Sequence, residues 1–417
     1  MIFPGQASQY EGMGKKLYQD LKIVKDTFDE ACDVLNFDLR KICFDGEPEE
    51  LIKTENTQLA LLTLCMAIFR IYMDQINIEP ACVVGHSLGE ITALCSTGAI
   101  SFPDALRLVR KRGLLMKEAI PFGEGAMCAI SGMDRKIVEM ECNNLSVSND
   151  VLVISNYNSK EQVVISGKKE SVVKMGKRLE SIGARTVLLS VSAPFHSPYM
   201  ESVAEKFREE LLSYKFFELK WPVISNVTAK PYYYKENIIN NLTTQITSPV
   251  MWEDSMKYLQ VQGVNVAVEL GPKSVLKGLM KRNAPNIQTF SYDIEGDWQA
   301  LEELINANKH SLYKRKSIAN NIVTMCLANA VCTKNNNWNK EEYEKGVITP
   351  YEEMKAMQDE IDKTGLMPTV EQGRRALELL QLIFESKQVD SNEQTDRINN
   401  IFDQTGTRDI YYNFNMK

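Results

Sequence analysis

Ala81-Cys82-Val83-Val84-Gly85-His86-Ser87-Leu88-Gly89-Glu90 decides how the chain folds. Residues 81–84 are short and apolar, as a buried strand is. Leu88 to Gly98 carries the apolar spacing of a helix. Between them stands G-x-S-x-G, Gly85 to Gly89. A sharp strand-to-helix turn needs small residues on both sides of its serine, and it exposes the hydroxyl. The turn aims the Leu88 N–H at a reacting oxygen, and the field of the helix N-terminus adds to it. The competing reading, a glycine-rich turn with an idle serine, loses to the strand and helix on either side.

Outward from this turn, 106–119 reads as a helix, and the alternation of short apolar runs with helices predicts a parallel sheet. Near Gly123 the rhythm changes. Strand 126–131, helix 134–145, strands 151–155 and 162–166, helix 169–182 and strand 185–191 follow in that order. This is the order of a ferredoxin-like unit. Strands are expected again at 222–225 and 264–270. The expected fold class is α/β: an α/β-hydrolase-like core over 1–122 and 193–300, an inserted ferredoxin-like subdomain over 123–192, and a helical C-terminal extension over 301–417. In the extension, Ile318, Ile322, Val323, Cys326, Leu327, Ala330 and Val331 mark one amphipathic helix. Thr349-Pro350-Tyr351-Glu352 reads as a capping box with proline at the first helical position, and Gly365 as a stop. Thr369 and Gln372 repeat the box. Tyr351, Met354, Met357 and Ile361 share one helix face, and Leu377, Leu380, Ile383 and Phe384 share the next. Such stripes exclude a disordered linker.

The net charge of −7 over 417 residues argues against nucleic acid as a partner. Nine cysteines without metal-ligand spacing read as reduced, mostly buried thiols, and no metal site is expected. No basic segment leads into an apolar stretch at the N-terminus, and no apolar run reads as long enough to span a bilayer, so a cytoplasmic protein without a membrane partner is expected.

A serine nucleophile needs a base, and the chain has three histidines. His86 adjoins the serine, but a tight turn points its side chain elsewhere. His310 lies in a polar helical region and reads as solvated. His196 sits in Ala193-Pro194-Phe195-His196-Ser197-Pro198, where two prolines fix the backbone, and it is the favoured base by elimination. Two other segments stand out. The Phe3-Pro4-Gly5-Gln6-Ala7-Ser8-Gln9 loop can approach the serine turn if their strands are neighbours. Arg112, on an otherwise apolar helix and followed by Gly113, can be partly buried and then needs an anionic partner.

With these residues in hand, the chain resembles the malonyl-CoA:acyl carrier protein transacylases of fatty acid and polyketide synthesis. The matching stretches are Phe3 to Gln9, Thr57-Gln58-Leu59-Ala60-Leu61, Gly85 to Glu90, Arg112-Gly113 with Met116, Pro194 to Ser197, Ser225-Asn226-Val227 and Glu269-Leu270-Gly271-Pro272. They occur in the family's order across residues 1–295. The resemblance implies Ser87 as nucleophile and His196 as base. It implies an oxyanion hole from the backbone N–H groups of Gln6 and Leu88. Arg112 would bind the malonyl carboxylate, and the backbone carbonyl of Gln245 would orient His196 in place of an acidic residue. Gln58, Met116 and Asn226 would line the site. An aromatic residue at Phe195 goes with malonyl rather than methylmalonyl in this family. The substrates would be a coenzyme A thioester and a phosphopantetheinylated acyl carrier protein, with no cofactor.

The chain departs from the family at both ends. The first strand is short of its usual apolar residues, so the start is expected to be clipped or the true start to lie upstream, and the tail exceeds what the transfer needs. Ala7 replaces a usual glycine, a change expected to be mild. The tail tilts the reading toward a trans-acting polyketide synthase acyltransferase over a housekeeping fatty acid enzyme. The rivals of a transferase are an acyl-thioester hydrolase, which has no use for a buried Arg112, and a non-catalytic docking protein.

Overall fold

The computed structural model describes all residues except 120–122, 146–150, 192, 233, 308–320, 365–367, 409, 412–413 and 415–417. The expected positions of Ile318, His310 and Gly365 lie outside the described residues.

Among the described residues, ten strands form two sheets: β1 (Ile2–Phe3), β2 (Val83–Gly85), β3 (Gly125–Ser131), β4 (Val153–Ser159), β5 (Gln162–Lys168), β6 (Arg185–Leu188), β7 (Val223–Ile224), β8 (Pro231–Tyr232), β9 (Val266–Glu269) and β10 (Gln288–Ser291). The larger sheet has the order β10-β9-β1-β2-β7-β8 and is parallel except for the β7–β8 edge pair. Its strands are apolar on both faces, as buried parallel strands are. Phe3, Val83, Val223 and Val268 enter one core, and Ile2, Val84, Ile224 and Ala267 enter another. The period-2 alternation thus joins two hydrophobic layers through one sheet.

In the second sheet the order is β4-β5-β3-β6, with every pair antiparallel. Helices Arg135–Leu145 and Lys169–Ser181 pack on it, with Val138, Cys142, Val172, Met175 and Leu179 in a common core. The last strand ends three residues sooner than its apolar run suggests. After Leu188 the chain leaves the sheet for the turn that carries His196.

The helix Thr54–Gln75 corrects one expectation. It has 22 residues, with a mean hydropathy of 1.3 in its most apolar window, so by length and composition it matches a bilayer span. The protein itself buries 83% of that window, and Leu59, Leu62, Ala67 and Ile68 belong to the main core. All nine cysteines are free, and Cys332 is the exposed one.

The C-terminal helices Ile322–Cys332, Thr349–Thr364, Val370–Ser386 and Ser391–Thr405 build a hydrophobic core of their own. Met354, Ile361, Leu377, Leu380, Ile383 and Phe384 meet there, as their spacing predicts. Val331 does not join it and is 64% exposed. The catalytic body contributes Tyr234 to this cluster. The Tyr234 hydroxyl lies 2.9 Å from that of Tyr411, and Lys230 Nζ donates to the Asp403 carbonyl at 2.5 Å.

The two capping signals fare differently. Thr369 and Gln372 form the full reciprocal box. Thr349 is not a cap: its φ of −59° and ψ of −48° are helical, and its hydroxyl donates to the Glu344 carbonyl at 3.1 Å. A π-helical turn, Glu344–Ile348, runs straight into it. Pro350 lacks an N–H and its ring crowds the carbonyl four residues back, and the wider turn accommodates both.

Candidate active site

Three parallel strands deliver the site from their C-terminal ends, where open α/β sheets bind ligands. The loop after β1 carries Gln6, the turn after β2 carries Ser87, and the loop after β7 carries Asn226. The G-x-S-x-G turn is set by sterics. Ser87 has φ 52° and ψ −108°, a conformation a side-chain-bearing residue holds only when its surroundings impose it. A Cβ on Gly85 would lie 1.8 Å from the Gly89 carbonyl carbon, and one on Gly89 would lie 2.2 Å from the Phe3 carbonyl oxygen. Both glycines are therefore required. The first loop closes just as tightly, since a Cβ on Gly5 would lie 2.4 Å from the His86 carbonyl oxygen.

Ser87 Oγ lies 2.8 Å from His196 Nε2. His196 Nδ1 lies 2.7 Å from the Gln245 carbonyl oxygen. A carbonyl only accepts, so Nδ1 carries the proton and Nε2 presents its lone pair to the serine hydroxyl. Burial, aided by the nearby Arg112 charge, pushes His196 down to about 3, so the imidazole is neutral at neutral pH. His86 turns away, with its Nε2 2.9 Å from Asn158 Oδ1 and its ring against Trp252.

Arg112 is fully buried and lies beside the serine. Its Nη1 donates to Gln58 Oε1 at 2.8 Å, and its Nη2 donates to Gln245 Oε1 at 3.1 Å and Ser87 Oγ at 3.3 Å. Its Nε has no partner, and no carboxylate among the described residues is within ion-pair distance. Burial lowers Arg112 to about 10, against the opposing pull of the Glu90 charge. Gly113 explains how the arginine reaches this place. A Cβ there would lie 2.6 Å from Glu55 Cα, so glycine lets the helix Phe102–Lys117 press against Thr54–Gln75 and bring Arg112 to Gln58.

The other expected residues converge too. Gln58 Nε2 donates to Gln6 Oε1 at 3.2 Å and sits 3.5 Å from Met116 Sδ. Asn226 Oδ1 accepts from the Ser87 N–H at 2.7 Å, and its Nδ2 donates to the Gly85 carbonyl at 2.6 Å. The Ser87 N–H is thus occupied. The N–H groups of Gln6 and Leu88 have no partner among the described residues and remain open to a ligand oxygen. Phe195 is buried in the main core, next to the base in sequence. The Glu269–Pro272 stretch is not part of the site. Glu269 accepts from the Leu276 and Lys277 N–H groups at 3.0 and 2.8 Å, capping the helix Val275–Asn283, and Gly271 packs against Pro4. Ala7 corrects an expectation: it stands at φ 81°, in the left-handed region, so the missing glycine is a strained replacement rather than a mild one.

Sequence reasoning passed over Glu90 and the side chain of Gln245. Glu90 is fully buried and accepts from Gln245 Nε2 at 2.6 Å, from the Asn226 N–H at 3.2 Å and from the Tyr232 hydroxyl. The available signal was a carboxylate three residues after the serine in an otherwise apolar helix.

Residues 1–312 match the family described as the acyl transferase domain. A Bacillus subtilis relative named malonyl CoA-acyl carrier protein transacylase is 35% identical over 393 residues, 94% of this chain and 97% of the relative. This chain belongs to the malonyl-CoA:acyl carrier protein transacylase family. It is an acyltransferase. A second transacylase of that name, from Bacillus subtilis strain 168, is 41% identical over 291 residues, covering 70% of this chain and 92% of the relative. A solved malonyl-transacylase in complex with its type II polyketide synthase acyl-carrier protein superposes with a TM-score of 0.70 at 38% identity, covering 73% of this transacylase and 98% of that chain. The first relative's match runs on into the helical extension, while the other two cover little more than the catalytic body.

Proposed function

We propose that this protein transfers malonyl from malonyl-CoA to the phosphopantetheine thiol of an acyl carrier protein through a malonyl ester on Ser87. The observation that carries this reading is a buried Arg112, with an unpartnered Nε and no carboxylate partner among the described residues, within hydrogen-bond reach of a serine already paired with a neutral histidine. In the first step Ser87 Oγ attacks the thioester carbonyl carbon while His196 Nε2 takes the hydroxyl proton. The N–H groups of Leu88 and Gln6 hold the oxyanion. The C–S bond breaks, and His196 returns the proton to the coenzyme A thiolate. In the second step His196 takes the proton of the carrier thiol, whose sulfur attacks the ester, and Ser87 leaves with that proton. The guanidinium pairs bidentately with the malonyl carboxylate throughout. Gln58, Met116 and Asn226 frame the site, and the Gln245 carbonyl holds the histidine tautomer. Kinetics should be ping-pong.

Intact mass after mixing with malonyl-CoA tests this. The wild-type protein should gain one malonyl group and Ser87→Ala none; labelling that persists in the variant sinks the assignment. Phe195→Ser should open space for an α-methyl and admit methylmalonyl-CoA. Equal use of both substrates by the wild type defeats that steric argument.

An acyl-thioester hydrolase is disfavoured because a neutral acyl chain leaves Arg112 unpaired. A docking protein is disfavoured because the dyad, the open N–H pair and the arginine are all in place. Between a housekeeping fatty acid enzyme and a trans-acting polyketide synthase acyltransferase, the folded extension favours the second, and kcat/KM with each type of carrier protein separates them. The strand order β4-β5-β3-β6 with two helices supports reading 123–192 as a ferredoxin-like insertion into an α/β-hydrolase-like core of 1–122 and 193–300, with 301–417 as the extension. The reaction needs no cofactor and fits a cytoplasmic setting.

A further inference from the structure

We infer that Glu90 is a positioning residue for acyl-group selection: as an acceptor-only carboxylate it fixes which end of the Gln245 amide faces Arg112. This rests on the transferase reading above. Among the described residues, Gln245 is the one that touches the base, the arginine and the serine turn together. Its backbone oxygen accepts from His196 Nδ1, its Oε1 accepts from Arg112 Nη2, and its Nε2 donates to Glu90 Oε2 and, at 3.0 Å, to the Ser87 carbonyl. A primary amide has a donor end and an acceptor end of nearly the same shape, so its direction is set by its partners. An ionised Glu90 has no proton to give. It admits only the NH2 end of Gln245, and the carbonyl end is thereby turned to the guanidinium. Asn226 is held by the same carboxylate through its N–H, so the support of the Ser87 turn and the support of Arg112 share one anchor.

The charged or titratable groups facing Glu90 are Tyr232 and Arg112. Burial raises Glu90 to about 7, against the opposing hydrogen bonds of Tyr232, Gln245 and Asn226 and the Arg112 charge. A proton on Oε2, the oxygen shared by Gln245 Nε2 and the Asn226 N–H, would place a donor among donors and remove the reason for the Gln245 orientation. Removing the Glu90 charge also has an opposite effect, since it leaves Arg112 more strongly drawn to an incoming carboxylate. That attraction acts across the intervening amide, whereas the Gln245 bond to Arg112 is direct, so the orientation effect is the larger.

The test is single-turnover acylation of the full chain by malonyl-CoA and by acetyl-CoA, read by intact mass, for wild type, Glu90→Gln, Gln245→Met and the double variant. Glu90→Gln should slow malonylation about tenfold or more beyond any slowing of acetylation, because both acyl groups use the Ser87 turn that Asn226 holds and malonyl alone depends on the Gln245 orientation. Gln245→Met keeps the backbone carbonyl and should lower the malonyl-to-acetyl ratio to the same extent, with no further fall in the double variant. The wild-type ratio should drop as pH falls through about 7, and Gln245→Met should abolish that dependence. A merely structural Glu90 would slow both substrates alike and leave the ratio flat with pH. A ratio that is unchanged or raised in Glu90→Gln overturns the inference. Should that variant not fold, a wild-type ratio that stays flat between about pH 5.5 and 8.5 overturns it. Wild-type protein that takes no malonyl at all overturns the transferase reading instead.

Discussion

Arg112 and Leu380 are both completely buried, yet one carries a charge with an unpartnered nitrogen and the other sits in a hydrophobic cluster. The contrast holds for the two regions around them. Every buried side-chain polar atom found without a partner lies in the catalytic body, and none lies among the described residues of the C-terminal extension. Ala7, Ser87 and His196 stand at positive φ around the active site, while in the extension Gln388 is the non-glycine residue that does so. The extension instead follows its local rules, with a complete capping box at Thr369 and Asp390 accepting from the N–H groups of the helix it starts. Positive φ also occurs at Asn36, Asn77, Ala229 and Lys273, and the extension buries Lys387 with its Nζ donating to the Ala330 and Thr333 carbonyls, so the difference between the regions lies in the unpartnered polar atoms, Arg112 Nε among them.

Arg112→Ala should break the contrast most sharply. Acetyl-CoA leaves the buried wild-type guanidinium without an anionic partner, a cost of about 3–5 kcal/mol, so malonylation should exceed acetylation by at least about a hundredfold. The variant should lose malonyl transfer and narrow that gap in competition assays. An unchanged preference would place the arginine outside the chemistry. Leu380→Ala probes the other region. A cavity in the extension's core should cost about 2–5 kcal/mol on thermal or denaturant unfolding, with malonylation within about twofold of wild type. Truncation after about residue 300, if soluble, should likewise still self-acylate. A folded truncated protein that cannot do so would show that the extension reaches the active site.

His196 offers a subtler comparison. Its folded pKa of about 3 lies below the ordinary value of 6.5, so the unfolded chain binds the proton first. Stability is unaffected above pH 6.5 and is lost progressively as pH falls toward 3. His196→Gln should resist acid unfolding better than wild type, by an amount that grows from pH 7 to pH 4 in denaturant titrations. For the same reason, kcat/KM with malonyl-CoA should show no acid limb from His196 above about pH 5. The smallest effect is expected from Ala7→Gly. Glycine adopts φ 81° without steric cost, so stability should rise by about 1 kcal/mol, a gain of a few degrees or less in Tm. No gain would mean that the loop's contacts already compensate the strain.

Short-range sterics were legible from the residues alone. Gly85 precedes the serine because a Cβ there meets the Gly89 backbone within the same turn, and Thr369 with Gln372 closes a box three residues apart; Gly89 by contrast is required by the distant Phe3 carbonyl. Period-2 and helical spacing located the strands and the faces of the last helices for the same reason: they depend on neighbours in sequence. Other features depended on approach between distant segments. Thr349-Pro350 carries the same local signal as Thr369, but a preceding turn of helix absorbed it. Thr54–Gln75 reads as apolar throughout, and only the surrounding layers show why. The stripes of the extension had to be buried somewhere, and the fold paired them mainly with one another rather than with the catalytic body. At the site, Gln245 meets Glu90 across 155 positions and Arg112 across 133. Residue type and spacing determined which groups could do acyl transfer. The packing of two helices at Gly113, and a buried carboxylate acting through one amide, decided where those groups stand, because hydrogen-bond direction in a dry interior is set by whichever partners the fold brings within 3 Å.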